Sequence, residues 1–456
     1  MALDVRSWQD RLGELAREHR VPGASLAVLS DGEVATVVAG LANVEAGIRV
    51  TPDTVFQVGS ITKSYTATQA MQLVEAGAVG LDDPITTVLP DLRLADPESL
   101  SRVTLRHLLS HSSGIEGDHF VDLGRGDDVV ERYVESAAGL GFSHPVGATM
   151  SYCNTGYVIA GRMIEVLTDR VWDAALRERL LAPLGVARSV TLPEEAIRFR
   201  AAYGHVVEAG EEPRLESQWV LPRALGPAGG VVATAADTLA FARLFLDRGA
   251  APGGERILAE ETVAAMLEPQ IELPDRWTLG SHWALGWILD DWGGRLVFGH
   301  DGATIGQAAF LRVVPHAGVA VVLLTNGGHA HDLYQDLFRE LLGELCGVEM
   351  PRPLAPPAHP PHVDAAAYAG RYERVGIRYE LEPDGNGSLR GHLSYTGYLA
   401  EIEDDPDADF ALVPVADGVF ATRFEDERSW TPIVFFELDG GARYMHSGVR
   451  ATPKVS

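Results

Sequence analysis

The spacing of apolar residues changes character several times along the chain. Val5, Trp8, Leu12, Leu15 and Ala16 recur near helical spacing, so residues 4–20 read as an amphipathic helix. Ala24 to Leu29 and Val34 to Ala39 are short apolar runs separated by Ser30-Asp31-Gly32-Glu33, which predicts a β-hairpin. Thr54 to Val58 is a short extended run, and Lys63 to Glu75 reads as a helix. Residues 65–275 are mostly helical segments and loops, including Leu105 to Leu109, Thr155 to Leu167, Trp172 to Leu181 and Ala235 to Asp247. Strand patterns return at Leu285 to Leu289, Leu296 to Gly299, Ala308 to Val314 and Val319 to Thr325, and a helix follows over His331 to Cys346. An early hairpin, a helical insertion and late strands imply one α/β unit whose sheet combines both ends.

The pattern then breaks. Residues 351–362, Pro-Arg-Pro-Leu-Ala-Pro-Pro-Ala-His-Pro-Pro-His, form a proline-rich, extended linker. Beyond it, short alternating runs are punctuated by Asp384-Gly385-Asn386-Gly387, Asp417-Gly418 and Asp439-Gly440-Gly441. That punctuation predicts an antiparallel meander, a small barrel or a sandwich. The expected organisation is a first domain over 1–350, the linker, and a second domain over 363–456.

Composition narrows the function classes. A net charge of −27 argues against binding nucleic acid or anionic lipid through a broad basic surface. No apolar run approaches the ~18 residues of a membrane helix. Cys153 and Cys346 fit no zinc or redox spacing, and residues 1–20 lack the apolar core of a signal peptide, so a reduced, cytoplasmic protein is expected. Asp82-Asp83 and Asp404-Asp405 read as solvated turns rather than metal sites, and no cofactor is expected. The glycine-rich segments match neither a P-loop nor a dinucleotide-binding fingerprint, and no G-x-S-x-G is present.

One compositional feature points to chemistry. Of 37 basic residues only Lys63 and Lys454 are lysine. Arginine stays protonated in essentially every protein site, whereas a desolvated lysine can give up its proton. Lys63 follows Ser60 by three residues, so on a helix its amine reaches the serine hydroxyl, and an unprotonated amine would activate that serine as a nucleophile. A second group, Ser151-Tyr152-Cys153-Asn154, offers a phenol for proton transfer and an amide for a substrate carbonyl, with Cys153 turned away as packing. A third, Gly299-His300-Asp301-Gly302-Ala303, sits at a strand end. Its glycines allow close backbone approach, and the Ala303 N–H could pair with that of Ser60 as an oxyanion hole.

Together, S-x-x-K, Y-x-N and H-x-G resemble the serine β-lactamase and penicillin-binding-protein superfamily, in the branch of class C β-lactamases, D-aminopeptidases and esterases. Phe56-Gln57-Val58-Gly59-Ser60, Leu105-Arg106-His107-Leu108-Leu109-Ser110-His111-Ser112-Ser113-Gly114 and Gly226-Pro227-Ala228-Gly229-Gly230 look typical of that branch. The resemblance spans about residues 5–348, and residues 363–456 resemble a lipocalin-like barrel opening at Tyr368-Ala369-Gly370-Arg371-Tyr372-Glu373. It implies an antiparallel sheet flanked by helices, a helical subdomain and a C-terminal β-barrel. It implies Ser60 as nucleophile, Lys63 and Tyr152 as proton-transfer pair, and Asn154 as the group that binds the substrate carbonyl and orients the lysine. His300 stands where many relatives have lysine and is expected to give a weaker or pH-dependent positive charge. Gly302, Gly229, Gly230 and Arg443 are the further substrate-binding candidates, and Arg450 is an alternative to Arg443 if the barrel caps the cleft. The expected partners are a small-molecule or peptidyl acyl donor and an amine or water acceptor. Water gives an esterase or D-aminopeptidase. An amine gives an amide-forming transacylase or a peptide-cyclising thioesterase of the penicillin-binding-protein type. A non-catalytic binding or sensor module on the same fold is the rival from another class.

Overall fold

The computed structural model of the chain describes residues 4–208, 210–396, 400, 406–423 and 428–456, so Asp404-Asp405 lies outside the described residues. The N-terminal apolar stripe forms α1 (Val5–Glu18), capped by the Asp4 side chain, which accepts the Ser7 N–H. The hairpin follows as β1 (Gly23–Ser30) and β2 (Glu33–Asn43). Both residues of its turn, Asp31 and Gly32, have positive φ (51° and 80°), the geometry whose twist matches a two-residue hairpin.

The main sheet is completed by β3 (Ile48–Arg49), β4 (Ile271–Glu272), β5 (His282–Trp283), β6 (Ile288–Asp291), β7 (Leu296–Thr304), β8 (Gln307–Val314) and β9 (Val319–Thr325). Its order is β3-β2-β1-β9-β8-β7-β6-β5-β4, so the two ends of the unit meet where Leu26 opposes Leu323 in an antiparallel register. β9 is buried along its whole length because helices cover both faces. Val319, Val321 and Leu323 point to the core made with α1 and the late helix, while Ala320, Val322 and Leu324 point to the core of the helical insertion. Of the helices, α2 (Thr62–Glu75), α3 (Asn154–Thr168) and α4 (Ala235–Leu246) belong to the second core and α5 (Ala330–Cys346) to the first.

Two strand expectations change. The run Leu285 to Leu289 is not one strand: Gly286, at φ 82°, breaks it and turns its carbonyl to the Ser64 hydroxyl (2.7 Å), leaving β5 and β6 on either side. Gly299 to Ala303 lies inside β7 rather than beyond its end, paired throughout with β8. Gly299 and Gly302 stay in the strand because a Cβ there would fall 1.9 Å from the Leu311 carbonyl and 2.0 Å from that of Val58.

No helix or strand is assigned over 351–362. The C-terminal meander is a nearly closed eight-stranded antiparallel barrel: β10 (Gly370–Arg374), β11 (Ile377–Pro383), β12 (Leu389–Tyr395), β13 (Asp407–Ala416), β14 (Val419–Thr422), β15 (Thr431–Leu438), β16 (Ala442–Ser447) and β17 (Arg450–Pro453). First and last segments meet, with Arg371 N–H donating to the Ser456 carbonyl (3.0 Å) and Val455 N–H to that of Arg371 (2.8 Å). Tyr372, Leu389, Leu412, Phe420 and Met445 fill its interior. Among the described residues no helix is long and apolar enough to cross a membrane.

Candidate active site

Ser60 sits in a tight turn, Gly59–Ile61, that runs directly into α2. Lys63 is in the first turn of that helix, and its Nζ lies 3.0 Å from Ser60 Oγ. The amine also donates to the Ala228 carbonyl at 2.7 Å. Lys63 is completely buried, and this desolvation holds its pKa well below the usual lysine range, with the Arg450 guanidinium adding to the effect. The Lys63 side chain therefore has the surroundings of a neutral amine.

Tyr152 approaches from the segment before α3. Its phenol lies beside Ser60, and its ring centroid is 4.7 Å from Lys63 Nζ. Burial pushes this phenol up, so it stays protonated at rest. Three contacts fix the ring: His111 stacks on it at 4.1 Å, Trp283 meets it edge-on at 5.7 Å, and its backbone N–H donates to Val449 of the barrel at 3.0 Å. His111 is itself oriented, because its Nδ1 accepts the Cys153 N–H at 2.9 Å. Cys153 is buried and caps α3, its Sγ accepting the Gly156 N–H, while Asn154 opens the helix and lines the cavity. Lys63 is oriented by the Ala228 carbonyl, which lies in the Gly226–Gly230 stretch typical of the branch.

β7 forms the opposite wall. A Cβ on Gly59 would lie 2.7 Å from the Ala303 nitrogen, and one on Gly302 would lie 3.0 Å from that of Ser60, so strand and turn touch backbone to backbone. Gly59 adopts φ 53°, which keeps the serine turn open to this approach. His300 is buried between the strands and meets Trp283 edge-on at 5.3 Å. Its Nδ1 is 2.6 Å from the Asp301 carbonyl, which makes Nδ1 the protonated nitrogen and leaves Nε2 as a bare acceptor. Burial lowers its pKa to about 3, with Lys63 acting the same way. The expected pH-dependent positive charge at His300 is thus corrected: the ring is neutral across the physiological range. Asp301 opposes this only in part, its carboxylate being engaged by Arg312.

These groups line one cavity of about 720 Å3. Ser60, Tyr152, Asn154, His300, Gly302, Ala303 and Gly229 all border it. Gly230 borders only the smaller adjoining pocket behind the Leu221–Arg223 segment. Arg443 is corrected as well: it is half-exposed on β16, beside Glu437 at 3.5 Å, and does not reach the cavity. Arg450, at the start of β17, does. The turn between the two strands, Gly448-Val449, enters the cleft beside Tyr152, with Val449 at φ 62°. Trp430 from the barrel and Phe120, Trp277 and Leu279 from the main unit supply much of the apolar wall.

A protein-family model described as beta-lactamase matches residues 8–344. The chain belongs to the β-lactamase family. It is an enzyme of this serine hydrolase superfamily, whose members include esterases, amidases and β-lactamases. Penicillin-binding protein 4 of Amycolatopsis lactamdurans is 50% identical over 378 residues, covering 82% of this chain and 99% of its own length. The crystal structure of SurE superposes with a TM-score of 0.79 at 30% identity, covering 99% of this chain, barrel included, and 100% of SurE; SurE has also been solved with D-Leu. D-Amino acid amidase from Ochrobactrum anthropi SV3 matches at 27% identity and a TM-score of 0.60, covering 72% of this chain and 92% of its own.

Proposed function

We propose that the enzyme transfers a peptidyl acyl group through an acyl-Ser60 intermediate, with an amine as the preferred acceptor. In this reading Ser60 Oγ attacks an ester, thioester or amide carbonyl as its proton passes to the neutral Lys63 amine. The Ser60 and Ala303 N–H groups hold the developing oxyanion, an interaction whose single donors typically contribute 10²–10³ in rate. Tyr152, beside both Ser60 and Lys63, returns the proton to the leaving group as the carbonyl reforms. The acceptor then repeats the steps in reverse order and frees Ser60. Asn154 and the acceptor nitrogen of His300, both at the cavity wall, are suited to the donor's amide groups rather than to a carboxylate.

The cavity carries this reading. It is far larger than one amino acid needs, largely apolar, and continues past Ser60 toward His331, Asp332 and Trp430, so donor and acceptor chains fit together. SurE in complex with D-Leu and the D-amino acid amidase favour a D-residue at the acyl position. This supports a peptide cyclase or amide-forming transacylase. Release of the same acyl group to water, as an esterase or D-aminopeptidase, is the second reading, favoured by the D-amino acid amidase likeness.

Short peptidyl thioesters ending in D- or L-residues, incubated with and without added amines and separated by mass spectrometry, test both. Amide or cyclic product from D-terminal donors is expected, with Ser60→Ala inert. Hydrolysed acid alone at every amine concentration rules out transfer.

A further inference from the structure

Two arginines converge on one carboxylate where the barrel meets the main unit. Arg450 Nε and Nη2 lie 2.6 and 2.7 Å from the oxygens of Asp118, and Arg374 Nη1 lies 2.7 Å from the same carboxylate. All three side chains are largely buried, Asp118 at 7%, Arg374 at 12% and Arg450 at 20% exposure, so one positive charge remains in excess in a poorly solvated place. Glu116 borders the same small pocket, but its carboxylate receives the Gly141 N–H at 3.1 Å instead. The Arg450 guanidinium carbon is 5.6 Å from the Tyr152 ring centroid, and Lys63 Nζ is 4.7 Å from that centroid. The guanidinium and the amine thus lie against the same aromatic ring.

We propose that Arg450, carried to the site by the barrel and pinned by Asp118 and Arg374, is the fixed cation that adds to burial in keeping the Lys63 amine free to take the Ser60 proton. The proposal rests on the acyl-enzyme reading above. An arginine does not deprotonate, so when two cations are forced together without water the lysine yields. The other groups facing Lys63 are Ser60, Tyr152, Tyr157, Cys153, His111 and His300. Burial keeps Tyr152, Tyr157 and Cys153 protonated and keeps His111 and His300 neutral. Arg450 and Asp118 are therefore the charged groups acting on the amine, and Arg450 outweighs Asp118. Arg450 exchanges no proton. The Ser60 O–H bond breaks as the Oγ–carbon bond forms, the proton goes to the Lys63 lone pair, and it leaves with the departing group. Arg450 is accordingly a positioning residue of an electrostatic kind.

The test is the rate at which a fluorophosphonate labels Ser60 between pH 5 and pH 9, followed by intact mass on the full chain. Labelling slows toward acid as Lys63 protonates. In Arg450→Gln this acid limb is expected to rise by about one pH unit, the size of a unit-charge interaction across roughly 10 Å of protein medium. Arg450→Lys keeps the limb near its original position, and Asp118→Asn, which deletes the opposing charge, moves it down. A purely structural clasp lowers the plateau in both variants without moving their limbs in opposite directions. An unmoved limb in Arg450→Gln overturns the proposal, including the case in which activity falls only for donors bearing a free carboxylate. Should Arg450→Gln lose its near-ultraviolet circular dichroism, Arg450→Lys and Asp118→Asn decide: a raised limb in Asp118→Asn overturns the proposal, a lowered one supports it. Failure of the underlying reading looks different, because Lys63→Arg would then still be labelled at the original rate.

Discussion

Among the described residues, the Lys63 amine has only neutral hydrogen-bond partners, the Ser60 hydroxyl and the Ala228 carbonyl. An ammonium ion there would lose its hydration shell and gain no carboxylate in return, so the neutral base is the stable form. Replacing it by an arginine that cannot deprotonate is expected to abolish acylation. Lys63→Arg should therefore show no Ser60 adduct in intact-mass analysis, with unfolding still cooperative. His300 gives the opposite expectation. A ring already neutral down to about pH 3 contributes no inflection near neutrality. His300→Gln should lower kcat/KM by roughly tenfold, the worth of one neutral hydrogen bond, and leave the acid limb in place. The Ser60–Lys63 relation was legible in the sequence because three-residue spacing brings the two side chains together as the helix begins. The state of His300 was not, because it depends on burial against Trp283, which only the sheet brings to the ring.

The strands and turns set distances that no single side chain controls. β7 and the Gly59–Ile61 turn lie so close that Gly302→Ala would put a methyl 2.0 Å from the Val58 carbonyl. The strand must then retreat and take the Ala303 N–H with it. Labelling of Ser60 is expected to fall by roughly 10²–10³, the usual loss of an oxyanion donor, while far-ultraviolet circular dichroism stays unchanged. Near-normal labelling would show that this approach does not build the oxyanion site. The hairpin, the late strands and the barrel meander could be read from period-two patterns and turn residues. The choice between Arg443 and Arg450 could not. Both lie in the last two strands, and only the tilt of the β16–β17 turn into the cleft sends Arg450 inward and leaves Arg443 beside Glu437. Asp118 and Arg374, separated by most of the chain, carried no sequence signal for their meeting at Arg450.

Across the whole molecule, several histidines are buried in neutral form. Burial lowers His144 to about 4, and His300 and His446 to about 3, from the ordinary 6.5. Above pH 6.5 neither folded nor unfolded chain charges them, and they do not affect stability. Below it the unfolded chain binds protons that the native chain refuses, so stability is lost as pH falls toward the folded values. Each such group contributes about 1.4 kcal/mol per pH unit, so the three together predict a slope of roughly 4 kcal/mol per unit between pH 6 and pH 4. Urea titrations at half-unit steps measure this, and a flat profile over that range would contradict the burial of these rings. His300 lies in the main sheet and His446 in the barrel, so acid should weaken both together.

The late position of Arg450 also ties activity to the order of biosynthesis. Ser60, Lys63 and Tyr152 leave the ribosome long before β17, yet the carbonyl that receives the Tyr152 N–H and the guanidinium beside its ring are translated hundreds of residues later. The barrel cannot close until Val455 and Ser456 reach Arg371. A nascent or prematurely terminated chain therefore carries the serine without its complete surroundings.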